Sequence, residues 1–290
     1  MANDRREKHS CGISPGVAAL IAIAIAMAMA TGGGARAQEP APVAQVGLAA
    51  PPAAPAKPGP ESQDCPVCPK IVTLPDGSAM GKYPVTRGEF AVFARETKFS
   101  GVGCYRNKGK DWFKDEKASW RAPGFPQTDR HPVVCVSWDD ATAYAEWLGK
   151  RTGKQYRLPT IEESIAAEAA QGAFWWGDNA DDICKYANVG DIGYVATVKD
   201  TRAPVPCKDG FVYTAPVGSF PANAFGLHDL AGNVWQWTNS CVKGDCSNAV
   251  FRGGAFNDTD VGNFKAGYSW GDRVIVRSFG LGFRVLRANQ

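Results

Sequence analysis

The sequence predicts a loop-rich α+β domain over residues 65–290. Three observations predict it: capped amphipathic helices in its first half, short β-type runs in its second, and Gly 32, Pro 20 and Trp 9, which mark an aromatic core crossed by many turns. Thr86-Arg87-Gly88-Glu89 reads as a capping box, the threonine accepting a backbone N–H while the glutamate reaches back. Phe90, Phe93 and Ala94 then supply the apolar stripe of a helix to about Thr97. Ser137-Trp138-Asp139-Asp140 repeats the logic, with Ala141, Tyr144, Ala145 and Leu148 on one face. That helix ends near Arg151-Thr152-Gly153, with cations in its last turn and glycine after it. Thr160-Ile161-Glu162-Glu163 caps a third helix, expected to run through the alanines to Gly172, beyond which helical periodicity disappears. Strands are expected at 133–136, 211–214, 251–252, 274–276 and 283–286, between Gly-, Asn- and Asp-rich loops.

Composition sets the frame for these elements. A hydrophobic fraction of 44% and a charged fraction of 21% exclude a disordered, collagen-like or coiled-coil chain. The net charge is +3, and two of those charges fall in the first 37 residues, where Arg5, Arg6, Lys8 and Arg36 face only Asp4 and Glu7. The remainder is nearly neutral, so a nucleic-acid partner is not expected. Residues 1–37 read as a signal peptide: basic residues, an apolar run over 17–30 too short to span a bilayer, and a small-x-small cleavage site at Ala35-Arg36-Ala37. An uncleaved anchor is the other reading of the same run. Cleavage near Ala37 leaves no transmembrane segment and implies a periplasmic or secreted protein. Residues 38–64, with seven Pro and seven Ala, read as an extended linker.

Cysteine use agrees with export. Outside the leader there are eight, an even number that implies disulfides in an oxidising compartment. Eight cysteines allow about a hundred connectivities, so the sequence does not choose among them. The expected pairs are Cys241–Cys246, Cys184–Cys207 and Cys104–Cys135, leaving Cys65–Cys68. Cys65-Pro66-Val67-Cys68 has the spacing of a redox dithiol, but it follows a Pro-rich stretch and precedes Pro69 instead of opening a helix. A zinc site lacks a second Cys-x-x-Cys, and the chain has only three His. A structural staple is the expectation.

A set of short motifs now adds to this reading. His131-Pro132-Val133-Val134, Val136-Ser137-Trp138, Tyr156-Arg157-Leu158-Pro159-Thr160, Ala215-Pro216-Val217-Gly218, Asn223-Ala224-Phe225-Gly226-Leu227, Gly232-Asn233-Val234-Trp235-Gln236-Trp237, Arg252-Gly253-Gly254 and Gly280-Leu281-Gly282-Phe283-Arg284 occur in this order. Together they resemble the sulfatase-modifying-factor (formylglycine-generating-enzyme-like) superfamily over essentially all of residues 68–290. The resemblance implies a C-type-lectin-like fold variant with few helices and short strands.

It also implies a departure in chemistry. Authentic formylglycine-generating enzymes carry two cysteines shortly after a Gly-Gly-Ser turn, and these bind copper(I) and activate oxygen. In this sequence the serine position is Ala255, the cysteine positions are Asp258 and Asn263, and no cysteine follows Cys246. Soft thiolates suit Cu(I), so no copper is expected there. The ergothioneine-type branch uses several histidines for iron, whereas only His131 and His228 remain here outside the leader. The pyoverdine-maturation branch is closer in setting: it is exported, lacks the cysteine pair and oxidises a siderophore precursor. Arg252, Asp258, Asp260, Asn263, Trp270, Arg273 and Arg284 are candidates to line the equivalent pocket, with carboxylates as proton acceptors. Surface charges and salt-bridge partners are the plain alternative for the same residues.

The resemblance further implies calcium. One site would use the Asn188 and Asp209 side chains with the Val189 and Phe211 carbonyls, a hard-oxygen set suited to this ion. A weaker second site would use the Gly232 and Val234 carbonyls and the Gln236 side chain, where the family has glutamate. The expected function is therefore an exported, disulfide-stapled, calcium-stabilised lectin-like binding or accessory module without copper-dependent formylglycine-generating activity. Its ligand, an unidentified protein, peptide or small molecule, would bind loops around 254–273. A periplasmic oxidoreductase-type maturation enzyme is the alternative, and a sulfatase-activating enzyme a weaker third.

Overall fold

The computed structural model describes residues 58–289. The signal-peptide segment, 1–37, and the linker as far as 57 lie outside the described residues. The linker does not extend to Asp64 as expected. Strand β1 (Glu61–Gln63) pairs antiparallel with β2 (Lys70–Thr73), because the turn at 64–69 returns the chain along itself. With β3 (Ala79–Gly81), β6 (Tyr156–Arg157) and β11 (Leu286–Arg287) they form a sheet in the order β1-β2-β3-β11-β6. A second sheet has the order β10-β7-β8-β9, from β7 (Trp235–Val242), β8 (Asp245–Arg252), β9 (Ser269–Arg273) and β10 (Leu281–Phe283), with β10 parallel to β7. A separate hairpin joins β4 (Val102–Lys108) to β5 (Asp111–Ser119).

Helices α1 (Arg87–Thr97) and α2 (Trp138–Thr152) begin at the two expected boxes, with Thr86 and Ser137 each accepting the N3 backbone N–H and each N3 carboxylate answering. Lys98 and Gly153 end them in the left-handed conformation. Phe90, Phe93, Tyr144 and Leu148 meet between the helices and over Phe283, Phe90 stacking on Tyr144 at 5.8 Å and Tyr144 meeting Phe283 edge-on at 5.3 Å. Such aromatic pairs add to the burial that drives this core.

Helix α3 (Ile161–Glu168) stops short of Gly172, since Asn223 Nδ2 takes the Ala167 and Glu168 carbonyls and Ala169 turns left-handed. Two short helices that periodicity did not disclose follow, α4 (Ile183–Tyr186) and α5 (Ile192–Val198). Four expected strands also differ. Residues 133–136 form no strand: Val133 N–H donates to the Val85 carbonyl and Cys135 N–H to the Ser278 carbonyl, with Cys135 left-handed at φ 58. Segment 211–214 is irregular, and 274–276 turns after β9. The run at 283–286 divides between β10 and β11.

The four disulfides are Cys65–Cys68, Cys104–Cys135, Cys184–Cys207 and Cys241–Cys246. Two tie distant segments, Cys65–Cys68 lies in the β1–β2 connection, and Cys241–Cys246 bridges β7 and β8 beside their turn. No helix among the described residues is long and apolar enough to cross a membrane.

Candidate functional site

The loop after β8 is shaped by Gly253 and Gly254, at φ 103 and 75, conformations that L side chains rarely adopt. A Cβ on Gly254 would come within 2.5 Å of Phe264, so the ring packs directly on the backbone. The chain then folds back on itself: Ala255 N–H donates to Asp258 Oδ2 at 2.8 Å, and Asp258 N–H donates to the Ala255 carbonyl at 2.9 Å. Burial pushes the Asp258 carboxyl up to about 6, against the opposing Ala255 N–H bond, the Arg202 charge, and the Trp235 and Asn263 side chains. Asn263 sits in a one-turn 3₁₀ segment (Val261–Phe264) capped by Asp260, and its Oδ1 faces Trp270 Nε1 at 3.5 Å. Asp258, Asn263 and Trp270 therefore come together, with Asp260 exposed at the rim.

The other three pocket candidates are elsewhere. Arg252 is buried against Glu168 at 2.8 Å. Arg284 is buried too, donating from Nε to Gln236 Oε1 at 3.0 Å and from its other nitrogens to the Gly81 and His228 carbonyls. Both arginines border a void of about 10 Å³, room for one water. Arg273 ends β9, exposed. Inside this fold both buried guanidiniums are engaged by the interior, Arg252 by the Glu168 carboxylate and Arg284 by an amide oxygen and two carbonyls.

Arg202 and Trp235 also act on the Asp258 carboxyl. Arg202 is doubly bonded to Asp200 and donates from Nη2 to the Asn257 carbonyl at 2.9 Å. It lies in a loop without periodicity, so nothing local marks it. Trp235 stands in a quoted motif and is buried at 9% exposure, while Trp237 is fully enclosed.

The calcium candidates converge on the neighbouring loop. Asp209 accepts Val189 N–H at 2.7 Å and Phe211 N–H at 2.8 Å, while its own N–H donates to Asp191 Oδ2 at 2.9 Å. Burial, with the Asp191 charge adding, pushes the Asp209 carboxyl up to about 7. Asn188 is fully buried and donates to the Tyr213 carbonyl at 2.8 Å, yet its Oδ1 has no partner. Cys184 Sγ lies with the Asp191 and Asp209 carboxylates within 4.8 Å, but it is bonded to Cys207 and offers no thiolate. An orphaned amide oxygen beside two crowded carboxylates fits a hard cation. The second set fits poorly: Gln236 Oε1 already accepts from the Arg284 guanidinium, and the Gly232 carbonyl accepts Val234 N–H. One bond joins loop and cleft, Gly190 N–H to the Asp258 carbonyl at 2.7 Å.

Comparison with known proteins agrees with this geometry. Residues 47–289 match the family model described as a sulfatase-modifying factor enzyme 1-like domain. The chain is 33% identical over 217 residues to the inactive C-alpha-formylglycine-generating enzyme 2 of Bos taurus, covering 64% of this chain and 67% of that one. It is 32% identical over 195 residues to the formylglycine-generating enzyme of Mus musculus, covering 57% of this chain and 49% of that protein. It thus spans about half the length of the mouse relative. Among solved structures, PvdO from Pseudomonas aeruginosa superposes with a TM-score of 0.64 at 26% identity, covering 80% of this chain and 99% of that one. The chain belongs to the formylglycine-generating-enzyme (sulfatase-modifying factor) family, as a member with no cysteine after Cys246.

Proposed function

We propose that this protein is an exported, calcium-stabilised binding or accessory module of its family, without copper-dependent formylglycine generation. The observation that carries the reading is the hydrogen-bonded Asp258 turn beside Asn263 and Trp270, at the place where the family's oxidase needs two thiolates. Every cysteine among the described residues is held in a disulfide, and carboxylate and amide oxygens do not replace soft sulfur for Cu(I). Calcium, when bound, would supply positive charge to the Asn188 and Asp209 oxygens and fix the loop that carries Gly190. Asp258 would then face a ligand as a half-buried carboxylate, able to accept a proton or a hydrogen bond. Trp270, partly exposed, would offer it apolar surface.

One observation favours a second reading, an oxidative maturation enzyme of the pyoverdine-maturation type. PvdO is matched over nearly its whole length. Such an enzyme would use the Asp258 carboxylate as base and would need a redox partner from outside the chain.

Metal analysis of the purified protein separates the two, and mass spectrometry of a sulfatase-motif cysteine peptide after incubation tests the third. Calcium without stoichiometric copper or iron, and an unmodified peptide, are expected. Bound copper(I) or an aldehyde on the peptide would overturn the module reading.

A further inference from the structure

Strands β1 and β2 already close their connection. The pairs Glu61↔Val72, Ser62↔Ile71 and Gln63↔Lys70 complete the ladder, and the six residues between hold both Cys65 and Cys68. Within that turn Cys68 N–H donates to the Cys65 carbonyl at 3.0 Å, and Gln63 Nε2 donates to the Cys68 carbonyl at 2.7 Å. Asp64 pins its start by accepting from Lys154 Nζ at 2.6 Å, Tyr156 Oη at 2.6 Å and Arg287 Nη1 at 2.8 Å. The Cys65–Cys68 bond thus crosslinks what hydrogen bonds and ion pairs already hold. Cys104–Cys135 and Cys184–Cys207 instead span 31 and 23 residues and join separate elements. A crosslink closing so short a loop also removes the least chain entropy.

The two sulfurs are placed unequally. Cys65 is partly exposed, while Cys68 is enclosed at 1% exposure. Two cations, Lys154 and Arg287, both bond to Asp64, one residue before Cys65. The other hairpin disulfide lacks this setting. Asp245 precedes Cys246, and its carboxylate bonds only to Ser247 and Asn248 among the described residues.

We infer that Cys65–Cys68 is an exchangeable disulfide that oxidises dithiols, an activity separate from the Asp258 cleft. A substrate thiolate attacks Cys65 Sγ, forming a mixed disulfide as the Cys65–Cys68 bond breaks and Cys68 leaves as thiolate. The substrate's second thiolate then attacks its own mixed-disulfide sulfur and releases Cys65. The net change is one substrate disulfide formed, two protons released from the substrate, and two taken up by Cys65 and Cys68 as their bond is reduced. The dithiol is the reductant, so a single turnover needs no other reagent.

The experiment uses the full oxidised protein in glutathione buffers of graded ratio, with alkylation and mass spectrometry at each cysteine and circular dichroism on the same samples. Cys65–Cys68 is expected to open reversibly while the spectrum and the two long-range disulfides stay intact. A reduced dithiol peptide should gain one disulfide per protein molecule, and C68S should trap glutathione on Cys65. Because C68S alone could misfold, the double variant C65S/C68S is the second arm, expected to keep the fold with a melting shift of only a few degrees. Opening of this pair only together with the others at the unfolding transition would overturn the inference. So would collapse of the double variant, or a peptide left reduced.

Discussion

Asp209 is the side chain on which the ion loop turns. Burial holds its carboxyl at about 7, well above the ordinary value of 3.8. The folded state therefore binds a proton that the unfolded state releases between those values. With no ion bound, this contribution is intact below the ordinary value and is lost as pH rises toward about 7. A divalent cation displaces the same proton, so calcium should stabilise more strongly as pH rises. At an ion concentration a hundredfold above Kd the gain is about 2.7 kcal/mol, roughly 5–10 °C in Tm for a domain of this size. Melting curves with calcium and with chelator, near pH 5 and near pH 8, should show the gap widen at the higher pH and shrink in Asp209→Ala. Identical curves under all conditions would remove calcium from the account. Arg252 makes a second prediction at this scale. Burial raises the Glu168 carboxyl while Arg252 holds it down, and neither residue meets solvent. Arg252→Leu strands that carboxylate and should cost about 3–5 kcal/mol in urea denaturation, with much of the loss recovered by adding Glu168→Gln.

Among the elements, the segment 188–191 has the most consequence. Val189 answers Asp209, Gly190 answers Asp258, and Asp191 caps α5 through Tyr194 N–H at 2.8 Å. A Cβ on Gly190 would lie 2.7 Å from the Asp258 carbonyl and from Thr259 Cγ2, so loop and cleft touch without room for a methyl group. Gly190→Ala should cost about 1–3 kcal/mol and alter the fluorescence of the cleft tryptophans, while a spectrum and Tm like the parent's would show that the contact yields freely. The helices illustrate what a sequence can disclose. The boxes at Thr86, Ser137 and Thr160 are complete within four residues, and all three appear where expected. Where α3 ends is decided by Asn223, 55 residues beyond Glu168, and no local pattern holds that information. Arg202 is likewise seated by the Asn257 carbonyl, 55 positions away. Arg252 and Arg284, both buried, illustrate the converse: their motifs mark them as special, but not whether the guanidinium faces a ligand or the interior.

At the scale of the whole domain, the two sheets depend on one short stretch near the C-terminal end. Leu281–Phe283 extends the β7 sheet, and Leu286–Arg287 inserts between β3 and β6 in the other. Arg287 then ties to Asp64 beside β1, 223 positions back, so early and late segments meet in one ion pair. Closing the two layers therefore rests on contacts between residues as much as 223 positions apart, and local helices must wait for that long-range closure. Removing residues 281–289 should abolish cooperative unfolding altogether, read as loss of the calorimetric transition, where a shorter domain would merely melt lower. A single short run that belongs to both layers acts as a clasp, so anything that frees it loosens both sheets at once.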